Sequence, residues 1–271
     1  MTEKTIQELL NFSLINIDKP SGPTSFQISQ YVANALNLNK TSHMGTLDPQ
    51  VTGVLPITLG RACKLSEYFM HHDKEYVGVM VLHSKISLNN VRREAEQFLG
   101  KIKQKPPVRS RVKRQERERE IKKFKLIEKK SKEVVFVAIV EAGTYIRKLI
   151  HDLGEKIGGA HMLELRRTKA SIFDESTALT LYDFDKTLND EEKLRKILVP
   201  AEDAIKKVLP SVQLSEANLK QFLTGKPLMK QDFVDLPEKN VFAAFVGDKF
   251  IGIYKKVKEG EILARPEFVF N

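Results

Sequence analysis

A single cysteine, Cys63, excludes disulfides within the chain and zinc sites built from several cysteines. No run of about 18 apolar residues is present to cross a membrane. The first 20 residues also lack the apolar centre of a secretory signal. Gly-rich phosphate loops and His/Cys clusters at ligand spacing are missing too, so neither a nucleotide cofactor nor a metal is expected. A soluble, cytoplasmic protein is the expectation. Its 271 residues suit one large or two modest domains with a substantial core.

Charge of one sign is gathered rather than spread. The chain carries a formal +10, and residues 101–130 alone hold 14 Lys or Arg against 4 Glu, so the remainder balances to zero. Such a segment suits a polyanion, because each phosphate it neutralises releases counterions. Lys101, Lys103, Lys105, Arg109, Arg111 and Lys113 have no interleaved acids and point to RNA. Residues 114–120 alternate in sign, and there a solvated, salt-bridged helix is as good a reading.

Periodicity sketches a mixed α+β chain. Residues 12–18 read as a strand broken by Lys19-Pro20-Ser21-Gly22-Pro23. Thr24 or Ser25 then caps a helix with Ile28, Val32, Ala35 and Leu36 at helical spacing. A short helix is predicted over 60–69, packed through Ala62, Leu65 and Phe69, and an interior strand over 74–82. An amphipathic helix over 89–99 is stopped by Gly100. The β-branched run 133–140 is the clearest strand, followed by a helix presenting Leu149, Ile150, Leu153 and Ile157. Composition shifts beyond Ala204, and a boundary near Leu209 separates residues 1–208 from 209–271. The second part is read as a helix over 211–223 and short strands over 241–246, 250–254 and 261–264.

The stretch around which the chain is organised runs from His43 to Leu65: His43-Met44-Gly45-Thr46-Leu47-Asp48-Pro49, then Val51-Thr52-Gly53-Val54-Leu55-Pro56, then Gly60-Arg61-Ala62-Cys63-Lys64-Leu65. Pro49 biases Asp48 away from helical geometry, so its carboxylate is offered from a turn. Asp-Pro by itself leaves a mere turn cap open. The longer string resembles the catalytic loop of the TruB and dyskerin family of RNA pseudouridine synthases. Other stretches resemble the family as well: Lys74-Glu75-Tyr76, Lys105-Pro106-Pro107-Val108-Arg109-Ser110, Gly143-Thr144-Tyr145-Ile146-Arg147, and Gly159-Ala160-His161-Met162-Leu163-Glu164-Leu165-Arg166-Arg167. Gly22-Pro23-Thr24-Ser25 and the His-Met and Arg-Arg forms look like its archaeal and eukaryotic branch.

That resemblance implies a fold, an activity and a site. The fold would be a mixed, largely antiparallel central sheet flanked by helices, with a short C-terminal β-rich domain of PUA type. The activity would be conversion of uridine to pseudouridine in RNA without cofactor or metal. Asp48 would be the catalytic carboxylate, held ionised by Arg147, and either nucleophile or stabiliser of a cationic sugar. Tyr76 and Leu165 would sandwich the extruded uracil, with Tyr145 in support and His43 filling the vacated space. Lys19 and Lys64 would orient the loop or contact phosphate, unless they are plain surface charges. The long insertion of bacterial members is not seen after the basic loop, which favours a guide-RNA particle of the H/ACA type with small accessory proteins. A stand-alone tRNA enzyme acting on the T-loop uridine, and a non-catalytic RNA-binding scaffold, are the alternatives.

Overall fold

The computed structural model describes residues 4–106 and 113–271. Ten strands form the larger sheet: β1 (Ser13–Lys19), β2 (Thr41–His43), β3 (Thr52–Leu59), β4 (Lys74–Leu82), β5 (Gly100–Gln104), β6 (Arg117–Lys130), β7 (Glu133–Val140), β8 (Ala160–Ala170), β9 (Phe173–Asp174) and β10 (Val199–Pro200). Their order is β10-β1-β3-β8-β4-β7-β6-β5, with β2 on β3 and β9 on β8. Ladders between these strands are antiparallel except β3–β8, a short parallel contact of Thr52 with Arg166 and Gly53 with Arg167. The sheet is mixed and largely antiparallel, as expected.

Helices α1 (Ile6–Asn11), α2 (Ser25–Ala35), α3 (Ser66–Met70), α4 (Leu88–Glu96), α5 (Ile146–Ile157), α6 (Leu181–Asp185), α7 (Glu191–Ile197) and α8 (Ala201–Lys206) surround it. Thr24 caps α2 in a reciprocal box with Gln27. On α5, Leu149, Ile150, Leu153 and Ile157 are buried in one cluster with Tyr76, Met80 and Leu82 of β4 and Phe136 of β7. Strand alternation puts Tyr76, Gly78, Met80 and Leu82 on that face. Gly78 makes room there, because a Cβ would lie 2.6 Å from the Phe136 ring. Among the described residues no helix is long and apolar enough to cross a membrane.

The C-terminal sheet holds β11 (Ser211–Gln213), β12 (Leu228–Met229), β13 (Val241–Val246), β14 (Lys249–Glu259) and β15 (Ile262–Val269) in the order β11-β13-β14-β15-β12, with α9 (Leu219–Phe222) beside it. Phe12, just ahead of β1, stacks on Phe250 and Phe270 at centroid distances of 5.7 and 3.9 Å. One apolar cluster therefore joins the two sheets.

Three expectations are corrected. The sign-alternating segment is not a helix: from Arg117 it is strand β6, and a period of two sends successive Arg and Glu side chains to opposite sides. Residues 211–213 are a strand parallel to β13 rather than the start of a helix, since Val212 and Leu214 alternate into the core. Helix α4 ends at Glu96, and Leu99 is 45% exposed where Gly100, at φ 83°, turns the chain into β5.

Candidate active site

Asp48 lies on the loop between β2 and β3, and three groups fasten that loop from below. Lys19 ends β1 fully buried, and its ammonium donates to the carbonyls of Pro20 (2.7 Å), Pro23 (2.8 Å) and Pro49 (2.8 Å). Ser25, at the start of α2, accepts from the Leu47 N–H at 2.8 Å and donates back to its carbonyl at 3.1 Å. Arg167, buried in the middle of the sheet, donates Nε to the Val54 carbonyl at 2.7 Å and Nη2 to the Gly45 carbonyl at 3.0 Å. Its guanidinium also meets the Tyr76 hydroxyl. Burial weakens the hold of Arg167 on its proton, with Tyr76 opposing that; an arginine stays charged regardless.

With the loop held at Gly45, Leu47 and Pro49, Asp48 projects from its surface. Arg147, the second residue of α5, reaches it with Nη2 at 2.8 Å from Oδ2. Tyr76 on β4 pairs with Arg167 on β8, which pairs with Gly53 on β3, so a single row across three strands connects the tyrosine to the loop. Leu165 lies two residues along β8 on the same face, opposite Gly78, and is buried. Tyr145 is the residue before α5, half-buried. His43 closes β2 opposite Ile57, half-buried, and lines a shallow cavity of ≈ 240 Å³ with Phe26, Gln30 and Lys40.

The structure thus gathers Asp48, Arg147, Tyr76, Tyr145, Leu165 and Lys19 at one end of the sheet and leaves other candidates apart. Lys19 orients the loop; full burial removes it from phosphate contact. Lys64 is exposed on the turn after β3, at the far end of a strand about 24 Å long at ~3.4 Å per residue, so it does not join the loop. Lys101 and Lys103 on β5 do have acidic partners, Glu118 on β6 at 2.9 Å and Glu116, the residue before β6, at 3.9 Å. The acids absent from their own stretch come from β6 and the residue before it. Glu118 correspondingly raises the Lys101 pKa. Lys105 and Lys113 are exposed. Arg109 and Arg111 lie outside the described residues. Among the described residues, no three His, Cys, Asp or Glu side chains are placed to hold a metal ion.

Sequence reasoning passed over Arg167, although a signal existed: neighbouring arginines in a strand must point to opposite faces, so one of Arg166 and Arg167 faces inward. The outward one, Arg166, grips both Asp18 carboxylate oxygens at 2.9 Å. Lys74 was passed over too. Only 6% exposed, it donates to the carbonyls of Met70 and His72.

Two predictions follow from these buried cations. Lys19→Met removes the ammonium from the Pro20 and Pro23 carbonyls, while the Pro49 carbonyl keeps the Gly22 N–H at 2.9 Å; with an unmet acceptor costing about 1–3 kcal/mol, a loss of about 2–4 kcal/mol in urea unfolding is expected. A change under about 0.5 kcal/mol would mean that water replaces the ammonium. The second concerns pH. Burial, reinforced by the Arg167 charge, pulls the Lys74 pKa from 10.5 down to about 8. Below that both folded and unfolded chains carry the proton. Between about 8 and 10.5 the folded protein has shed a proton that the unfolded chain still binds, so this group's contribution to stability rises with pH. Wild type should therefore gain stability over Lys74→Met as pH climbs through this window, and a constant difference in urea melts would contradict the assignment.

Comparison with known proteins agrees with this arrangement. Residues 33–146 match the family model of the TruB family pseudouridylate synthase N-terminal domain. Residues 147–206 match that of the tRNA pseudouridylate synthase B C-terminal domain. A probable tRNA pseudouridine synthase B of Nanoarchaeum equitans is 44% identical over 210 residues, 75% of this chain and 60% of that protein. Among solved structures, a chain of a Cbf5-Nop10-Gar1 complex superposes with TM-score 0.89 at 34% identity, covering 99% of this chain and 88% of that one. A chain of an H/ACA RNP bound to a substrate RNA containing 2′-deoxyuridine gives 0.86 at 32%, covering 99% and 88%. Fold and site thus define a pseudouridine synthase scaffold. The chain belongs to the TruB family of pseudouridylate synthases.

Proposed function

We propose that this chain isomerises uridine to pseudouridine in RNA, with Asp48 as the catalytic carboxylate. The observation that carries the reading is the Arg147–Asp48 pair at 2.8 Å, on a loop fastened by Lys19, Ser25 and Arg167. The reaction breaks N1–C1′, turns the base and joins C5 to C1′, expelling the C5 hydrogen. A carboxylate serves by attacking the reacting centre or by stabilising positive charge on the sugar and moving the proton. Arg147 engages the carboxylate through Oδ2.

Tyr76 and Leu165 then flank the extruded uracil, Tyr145 supports it, and His43 borders the space it leaves. Lys105, directly after Gln104, and Lys113 contact phosphate, as does the exposed basic face of β5 and β6. The C-terminal sheet acts as an RNA-binding domain of PUA type. The likeness over 99% of the chain to proteins in H/ACA and Cbf5 complexes supports a catalytic subunit that works with guide RNA and small accessory proteins. The curated relative's name favours a second reading, stand-alone action on tRNA.

Tritium release from RNA labelled at uracil C5 tests both readings. Release from tRNA by the protein alone supports the stand-alone enzyme; release only with guide RNA and accessory proteins supports the particle. Silence in both settings with RNA binding intact would leave a scaffold.

A further inference from the structure

Something other than their mutual attraction must place the Arg147–Asp48 pair. Both side chains are about half exposed, 57% and 48%, and such pairs contribute only about 0–1 kcal/mol. That is too little to fix a helix end. The residue preceding α5, Tyr145, supplies no side-chain cap either. Core packing through Ile146, Leu149 and Ile150 holds the body of α5, and the backbone at its start is held by Gln104, the last residue of edge strand β5 and 2% exposed. Its Oε1 accepts from the Tyr145 N–H at 3.0 Å and its Nε2 donates to the Tyr145 carbonyl at 3.2 Å. One amide thus makes with a single residue the two-bond exchange that antiparallel strand partners make. The same carbonyl accepts from the Leu149 N–H at 3.0 Å, so the lock sits on the first turn of α5, two residues from Arg147.

We propose that Gln104 is a positioning residue that acts through Arg147: its double bond to Tyr145 sets where the guanidinium meets Asp48. This rests on the isomerase reading. It also differs from a general stabilising role in what it predicts. A displacement of about 1 Å at a reacting group can cost on the order of 100-fold in rate, whereas RNA affinity, carried by many phosphate contacts, should hardly change. Lys105 follows Gln104 directly, so retained RNA binding also reports that the basic stretch is undisturbed.

The test compares single-turnover tritium release by wild type, Gln104→Met, Gln104→Glu, Arg147→Ala and the Gln104→Met/Arg147→Ala double variant. Gln104→Met should be slowed about 10- to 100-fold with RNA Kd within about threefold. Gln104→Glu, which keeps only the acceptor, should fall between. Adding Gln104→Met to Arg147→Ala should cost no more than about twofold, because the two act in series. A wild-type rate for Gln104→Met, or its full penalty repeated in the double variant, would overturn the proposal. A crystal structure of Gln104→Met gives a readout independent of activity: an Arg147–Asp48 separation beyond about 4 Å is expected, and an unchanged pair would overturn it. Should wild type itself be inert on every RNA, the isomerase reading fails, and the crystal comparison alone decides the role of Gln104.

Discussion

Asp48→Asn is expected to stop tritium release while leaving the protein folded and bound to RNA. Asn keeps the size and the turn geometry but neither attacks a sugar carbon nor takes up a proton at neutral pH. Loss of a positioned proton-transfer group alone costs about 10²–10⁴-fold, and loss of a nucleophile adds to that. Stability should move by no more than about 1 kcal/mol, since the side chain is half exposed and its pair with Arg147 is a surface pair. Release by the variant at more than about a tenth of the wild-type rate would remove Asp48 from the chemistry, because that loss is smaller than proton transfer by itself accounts for.

Gly53→Ala should have the largest effect on folding. Gly53 sits at φ 102°, and a Cβ there would lie 2.2 Å from the Arg167 carbonyl oxygen and 2.9 Å from its nitrogen. Both atoms are main chain of a paired strand, which cannot swing aside as a side chain would. Backbone strain of about 1–3 kcal/mol combines with an overpacking cost of similar size, for a loss of about 2–6 kcal/mol. The damage would fall on the parallel β3–β8 contact, and so on the base of the Asp48 loop. Gly22→Ala is the control: its φ is 114° but no atom lies within 4 Å of the added Cβ, so it carries strain without collision. Equal urea midpoints for the two variants would show that the close approach to Arg167 is unimportant.

The Gly53 contact also explains a motif that reads in sequence only as a pattern. Val51-Thr52-Gly53-Val54 is recognisable along the chain, yet what requires the glycine is the main chain of a residue 114 positions further on. The basic segment is a parallel case. Its net charge was legible, but its acids looked absent around Lys101 and Lys103 because the partners are Glu118 on β6 and Glu116 just before it. A ladder brings them together that no local spacing reveals.

Strands β1, β4 and β7 and helices α2 and α5 were legible along the chain, and its motifs singled out Asp48, Tyr76, Arg147, Tyr145 and Leu165 as candidates for the site. Short-range periodicity and recurring motifs carry that information. Only the tertiary structure decided which groups hold them. Arg167 reaches the carbonyls of Val54 and Gly45 across 113 and 122 residues, and Gln104 reaches Tyr145 across 41. It likewise turned Lys19 inward and left Lys64 at the far end of β3. The physical reason is that these supports end on main-chain carbonyls and N–H groups, which every residue type presents alike. The acceptor carries no signature in the sequence, and the pairing exists only once the strands are in register.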